Sequence, residues 1–371
     1  MIGLCCHDIL YPYSGRSRKS SIHLFSVLMK ASYYIIRVVL LAAILLISQM
    51  LYKKLWWESD LKEHADILEN LQLVQDSVDA IYFAESSNFT TSKTDNDLRS
   101  ISEMLDDSIP TLKVGTVEKG AQHARIYHSL IKRIPDDSPV KMVIVTMNLR
   151  SFSADWIHSE LESNLMKSDL LLQDRPELLN RFLLTLNFYD NKRGAERLRD
   201  LHRVWKEDKI NWPFDFPYDN IYDWDVAMGN GGWLNEDGSW DMPKIQLGTQ
   251  QIKQFGFDIK EDNPRIQDFD GIVKTCNEKS LMLVFNILAE NIDAVDSLVG
   301  EELVFLMKRN RDFLMERYQG QNVLVVDNLE FVRDASFTDR DFPTEHYDQR
   351  GRMDVAMNLR DSISEILQLR K

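Results

Sequence analysis

Cysteine is nearly missing from this chain: of 371 residues, only Cys5, Cys6 and Cys276 carry a thiol. Past residue 54 a single thiol remains, so the body can close no internal disulfide and offers no cysteine set for structural zinc. Glycine and proline are scarce as well, at 15 and 10 residues, which excludes a collagen-like or low-complexity chain. Positive charge is scarce beyond the amino end. Residues 1–54 carry seven Lys/Arg against one Asp, and the remainder carries 37 against 57 Asp/Glu. So acidic a body repels phosphate backbones, and no nucleic-acid partner is expected.

What the chain does have is one long apolar run. Val38 to Tyr52 reads VVLLAAILLISQMLY, and it reaches the roughly 20 residues that span a bilayer if it starts near Tyr34 and Arg37 snorkels to the interface. Arg16, Arg18, Lys19, Lys30 and Arg37 lie on its amino side, Lys53, Lys54, Trp56 and Trp57 on its carboxyl side. That excess of positive charge before the span predicts a cytoplasmic amino end and a periplasmic or extracellular body. Ile47-Ser48-Gln49-Met50 offers no small-x-small cleavage site, so the segment reads as an uncleaved signal anchor in the lipid bilayer. The expected division is a tail over 1–33, the anchor over 34–54, a stalk helix over 55–78 and a domain over 79–371. The stalk is expected because Leu61, Ile67, Leu68, Leu71 and Val74 recur at helical spacing.

In the domain, short apolar runs alternate with helical patterns. Ala80–Ala84, Leu112–Val117, Lys141–Met147, Leu281–Leu288 and Val323–Val326 each have the length of a strand buried on both faces. Helical periodicity falls near Asp95–Ser108, Ala121–Lys132, Ala154–Met166, Ala195–Glu207, Ile292–Arg317 and Gly351–Leu369. The alternation predicts an α/β fold, a parallel sheet between two layers of helices. From about 165 to 275 the rhythm is interrupted by helices and then a loop-rich stretch holding Trp205, Trp212, Trp224, Trp233 and Trp240. Trp224 and Trp233 are candidate sugar-binding faces. The plainer reading is that the insertion uses these rings to pack itself down.

Functional residues of a parallel sheet gather beyond the carboxyl ends of its strands. Glu85-Ser86-Ser87-Asn88 follows the first strand, Lys119-Gly120-Ala121 the second and Asn148-Leu149-Arg150 the third, while Glu345-His346-Tyr347 precedes the last helix. Ester cleavage needs an activated hydroxyl, a base and donors for the oxyanion. Ser86 fits the nucleophile, His346 the base, and the Ser86 N–H, the Gly120 N–H and the Asn148 side chain the oxyanion hole, glycine at 120 letting the backbone approach the substrate oxygen closely. His123 is a further base candidate.

This order, Ser86, Gly120, Asn148, His346, resembles the SGNH (GDSL-like) hydrolase superfamily. The resemblance covers about residues 78–160 and 280–370, with Ala84-Glu85-Ser86 standing where that family has Gly-Asp-Ser. It implies a flavodoxin-like three-layer α/β/α fold and a serine esterase or acyl-ester transferase that needs no metal or cofactor. The family's Asp, three residues before its His, is here Pro343. Asp341, Asp339, Glu345 or a backbone carbonyl must take its place. Asp341 is favoured, since adjacent side chains of an extended segment diverge and Glu345 would turn away from the ring.

With its anchor, the chain is also similar to the accessory proteins of polysaccharide acetylation and teichoic-acid D-alanylation. That similarity implies an O-acylated cell-envelope glycan as substrate and a multi-pass membrane O-acyltransferase as partner. The rival readings are a non-catalytic scaffold of the same fold and a glycan-binding module. In a eukaryote Asn88-Phe89-Thr90 would be a formal glycosylation sequon beside the nucleophile.

Overall fold

The computed structural model describes residues 17–369 apart from Asn191, Gly232 and Gln321. The first 16 residues of the expected amino-terminal tail lie outside the described residues, as does Gly232 of the insertion's glycine run. The chain divides into two compact units. The first is residues 1–58 together with Pro176–Leu178. Its main element is α1 (Ser17–Leu55), of which Lys30–Leu55 contains an apolar stretch with a mean hydropathy of 2.3 and is long and apolar enough to cross a membrane. Within this unit Lys53 pairs with Glu177 at 2.6 Å, and Gln49 Oε1 accepts from the Leu178 amide at 2.8 Å.

The second unit is built on five strands, β1 (Ala80–Ala84), β2 (Val114–Glu118), β3 (Met142–Met147), β4 (Met282–Ile287) and β5 (Val323–Asp327). All pair in parallel, in the order β2-β1-β3-β4-β5. This is the flavodoxin-like order, whose direction reverses between β1 and β3 and opens a crevice beyond their carboxyl ends. The expected strands and the expected α/β class are therefore both present. Each central strand is buried on both faces because its side chains alternate between two cores. Ile81, Phe83, Val143, Val145 and Phe285 enter one core, and Tyr82, Ala84, Ile144 and Val284 the other.

Helices cover both faces. The first helical stretch differs from the single stalk helix expected over 55–78. It is broken into α2 (Trp57–His64) and α3 (Ile67–Val74), because Asp66 caps α3 by accepting from the Ile67 amide at 3.0 Å. Ile67, Leu68 and Leu71 then enter the core of the domain. α3 lies close on β2: a Cβ at Gly115 would meet Val78 Cγ1 at 2.9 Å and Val74 Cβ at 3.0 Å.

Beyond β1 come α4 (Ser86–Phe89) and α5 (Ile101–Ser108), and after β2 comes α6 (Ala124–Ile131). The segment between β3 and β4 holds α7 (Ala154–Ile157), α8 (Glu160–Leu172), α9 (Glu177–Thr185), α10 (Gly194–Glu207), α11 (Ile221–Asn230), α12 (Met242–Phe255) and α13 (Pro264–Glu278). The insertion is helical and loop-rich as expected: around the tryptophans 208–220 and 233–241 are non-helical, with α11 between them. After β4 lie α14 (Ile292–Leu298) and α15 (Glu301–Tyr318), and α16 (Gln349–Leu369) closes the fold. α5 and α16 form the layer on the Tyr82 face, while α3, α6, α13, α15 and the insertion form the layer on the Phe83 face.

Candidate active site

The turn after β1 sets Ser86 at the first position of α4, with Glu85 extended at φ −115° before it. A residue at that position has an amide with no acceptor inside the helix, free to serve an incoming oxygen. Phe337 and Tyr347, packed in the core on the Tyr82 face, form an antiparallel bridge, and the Thr338 amide donates to the His346 carbonyl at 2.9 Å. This pairing brings His346 against both Ser86 and Asp339. His346 Nε2 lies 2.9 Å from Ser86 Oγ, and His346 Nδ1 lies 2.5 Å from Asp339 Oδ2. Thr344 Oγ1 donates to the same Asp339 oxygen at 3.1 Å. Such an arrangement can draw a proton from a serine hydroxyl while a carboxylate fixes the imidazole tautomer.

Asn148 follows β3 and turns its amide toward the same end of the sheet. Its Nδ2 donates to Glu85 Oε1 at 2.8 Å and its Oδ1 accepts from the Arg150 amide at 2.8 Å. One amide proton is committed to Glu85, and the other remains available as a donor.

Beneath these groups is a buried layer of charge. Arg150 holds Glu345 through two hydrogen bonds, from Nε and from a terminal nitrogen, and Glu85, Glu290 and Glu345 are each no more than 3% exposed. Three carboxylates around one guanidinium cannot all be charged at low cost. Burial, and then the Glu345 charge, push the Glu85 carboxyl up to about 8. The same causes raise Glu290 well above the usual carboxylate range. Three of its members neighbour a reactive group in the chain: Glu85 precedes Ser86, Glu345 precedes His346, and Arg150 follows Asn148 by two.

Arg352 adds a second tie. Fully buried, it donates to the carbonyls of Thr90 at 2.9 Å and Tyr347 at 2.9 Å, so it joins the serine turn to the histidine segment. Gly351 beside it is required by close packing, since a Cβ there would meet Tyr347 Cβ at 2.8 Å.

No family model matches this chain, and no curated protein sequence matches it. Solved structures do. One is the crystal structure of the lipase Lip_vut3 from a goat rumen metagenome, 9% identical, covering 76% of this chain and 95% of that one at a TM-score of 0.31. The similarity to that lipase is weak.

Several sequence expectations change at the site. Asp341 is exposed near the tip of the loop, and the carboxylate on the ring is Asp339. The bridge at Phe337 and Tyr347 is the reason, because cross-strand pairing rather than chain distance decides which acid faces His346. Glu345 does turn away from the ring, toward Arg150. Gly120 is exposed and lines a separate cleft with Glu63, His64 and Leu161. A Cβ at 120 would meet nothing within 4 Å, so packing does not require glycine there. The left-handed residue of that turn is Ala121, at φ 59°. His123 is buried, caps α6 and bonds Glu162 at 3.0 Å, away from Ser86. Asn88 is fully buried, with its Oδ1 accepting from the Ser102 amide at 2.9 Å, and so cannot receive a glycan.

The tryptophans also separate. Trp224 is buried, its ring 5.8 Å from Trp212 and 5.1 Å from Phe216, so it belongs to the core of the insertion and has no face to offer a sugar. Trp233 is half-buried at the foot of the hairpin closed by the Leu234–Trp240 bridge. What the insertion contributes near the site is α12. Leu247, Gln251 and Phe255 from α12 face Phe342 and Pro343 across a cleft of about 520 Å³ whose wall includes Asp339. No helix was expected over these residues, and nothing in the sequence signalled what they face.

Proposed function

We propose that this protein is a membrane-anchored serine esterase or acyl-ester transferase of SGNH type. The observation that carries the reading is the continuous line from Ser86 Oγ through His346 to Asp339, at 2.9 and 2.5 Å. Its support is the placement of Ser86 and Asn148 beyond β1 and β3, on either side of the point where the strand order reverses.

In this reading Ser86 Oγ attacks the ester carbonyl carbon as its proton passes to His346 Nε2. Asp339 holds the Nδ1 proton and stabilises the imidazolium that forms. The Ser86 amide and Asn148 Nδ2 receive the oxyanion. Collapse breaks the bond to the alcohol, which leaves with the proton from His346, and an acyl group remains on Ser86. Water or a sugar hydroxyl then gives its proton to His346 and takes the acyl group, and as the bond to Ser86 breaks His346 returns that proton to Ser86 Oγ. The cleft beside α12 accommodates part of the substrate, which we infer to be an O-acylated cell-envelope glycan. Lys30–Leu55 anchors the body outside the cytoplasm, where a membrane O-acyltransferase is its working partner.

Labelling of the detergent-solubilised chain with a serine-directed fluorophosphonate, followed by mass spectrometry, tests the proposal. Modification of Ser86 that is lost in Ser86→Ala and His346→Ala is expected. A folded chain with an unlabelled Ser86 would favour the scaffold reading.

A further inference from the structure

Helix α9 is amphipathic the wrong way round for a water-facing helix. Its inward side carries the buried Asn180 and Leu184, whereas Leu179 and Phe182 on the helix and Leu186 in the turn that ends it recur three and four residues apart and are 42%, 58% and 51% exposed. Phe188, just past its end, is 67% exposed. Scattered apolar residues on a surface need no explanation, but a helical stripe of them does.

The charge around the stripe is also unusual. From Arg175 to Arg203 the chain carries seven Lys/Arg against four Asp/Glu, the reverse of the balance in the rest of the body. Arg197 and Lys192 pair with Asp190 and Asp200, while Arg175, Arg193 and Arg199 are exposed. Exposed leucine and phenylalanine flanked by arginine is the composition of a helix lying in a lipid interface, with its apolar side among the acyl chains and its cations at anionic headgroups.

The first residues of α9 belong to the same compact unit as the span. Glu177 and the Leu178 amide bond Lys53 and Gln49, in the last two turns of Lys30–Leu55, just before Trp56 and Trp57. Lysine and tryptophan at the end of a span mark the headgroup region.

We propose that Leu179, Phe182, Leu186 and Phe188 form a second membrane contact, an interfacial foot that dips into the leaflet through which the chain's own anchor emerges. Its partner is a bilayer surface with anionic lipid. The proposal rests on the reading of Lys30–Leu55 as a span and is independent of the esterase reading.

The test uses the full chain with Cys5→Ser and Cys6→Ser, reconstituted in phosphatidylcholine vesicles containing phosphatidylglycerol. An environment-sensitive fluorophore is attached at Phe182→Cys, at Phe188→Cys or, as a water-facing control, at Leu98→Cys, where the native side chain is 66% exposed. Expected are a blue shift at 182 and 188, loss of emission with brominated acyl chains, and protection from aqueous iodide; position 98 shows the opposite. Equal iodide quenching at 182, 188 and 98, in vesicles that retain the chain through an alkaline carbonate wash, would overturn the foot and leave the anchor standing. Loss of the chain in that wash would overturn both. Protection at 182 without bromine quenching, growing with the protein-to-lipid ratio, would overturn the foot in favour of a second copy on that face.

Discussion

Asp339 and His346 stand seven residues apart in the chain, with 2.5 Å between carboxylate oxygen and ring nitrogen. The short antiparallel pairing at Phe337 and Tyr347 produces this contact and leaves Asp341 in solvent. The two acids therefore give a sharp comparison. Asp339→Asn is expected to lower ester turnover by about 10²–10⁴, the range for loss of an orienting carboxylate, and Asp341→Asn to leave it unchanged. Turnover of an activated acetyl ester by the two variants is the measurement.

Arg150 and Glu345 are a buried pair in which loss of one partner strands the other. Arg150→Met is expected to destabilise the fold by about 3–5 kcal/mol. Replacing both members, Arg150→Met with Glu345→Met, is expected to cost less than the single change, because no unpaired Glu345 remains. Denaturant unfolding of the three proteins, followed by tryptophan fluorescence, checks the order.

The sheet was legible because a parallel strand covered on both faces is an unbroken apolar run, and five such runs mark β1 to β5. The serine, asparagine and histidine were legible because each lies beside a strand end or the last helix. The orienting acid was not, since a hairpin inside a polar loop leaves no hydrophobic period to reveal it. Nor was the layer formed by Glu85, Arg150, Glu290 and Glu345. In one dimension a buried carboxylate looks like a solvated one, and only the convergence of three strand ends and the segment before α16 brings these four together. The break at Asp66 was hidden in the same way, because an acid on the outer side of a helical pattern and an acid capping a new helix fall at the same spacing.

Trp224 separates the packing role of the insertion from a binding role. Trp224→Ala removes a ring from a cluster with Trp212 and Phe216 and is expected to cost about 3–5 kcal/mol, lowering the melting temperature. Trp240, 50% exposed, has no such cluster to lose, and Trp240→Ala is expected to leave the melting temperature unchanged. A scanning fluorimetry comparison decides it, and equal stability of the two variants would count against the core assignment.

The buried carboxyls make stability fall as pH rises. Glu85 reaches about 8 in the fold, so between its ordinary value and 8 the folded state holds a proton that the unfolded chain has released. Stability must drop across that window, at up to about 1.4 kcal/mol per pH unit for each proton. His128 works the other way at lower pH: burial depresses it to about 4, so its contribution is present above 6.5 and is lost on acidification through 4. The interval from 6.5 to 8 is therefore where the carboxyl slope is least masked. Glu85→Gln keeps an acceptor for Asn148 while removing the titration, so the stability difference between variant and wild type should widen in the variant's favour from pH 6.5 to 8. Unfolding curves at half-unit steps read this difference directly, and a constant gap would mean that Glu85 carries a charge in the folded protein throughout.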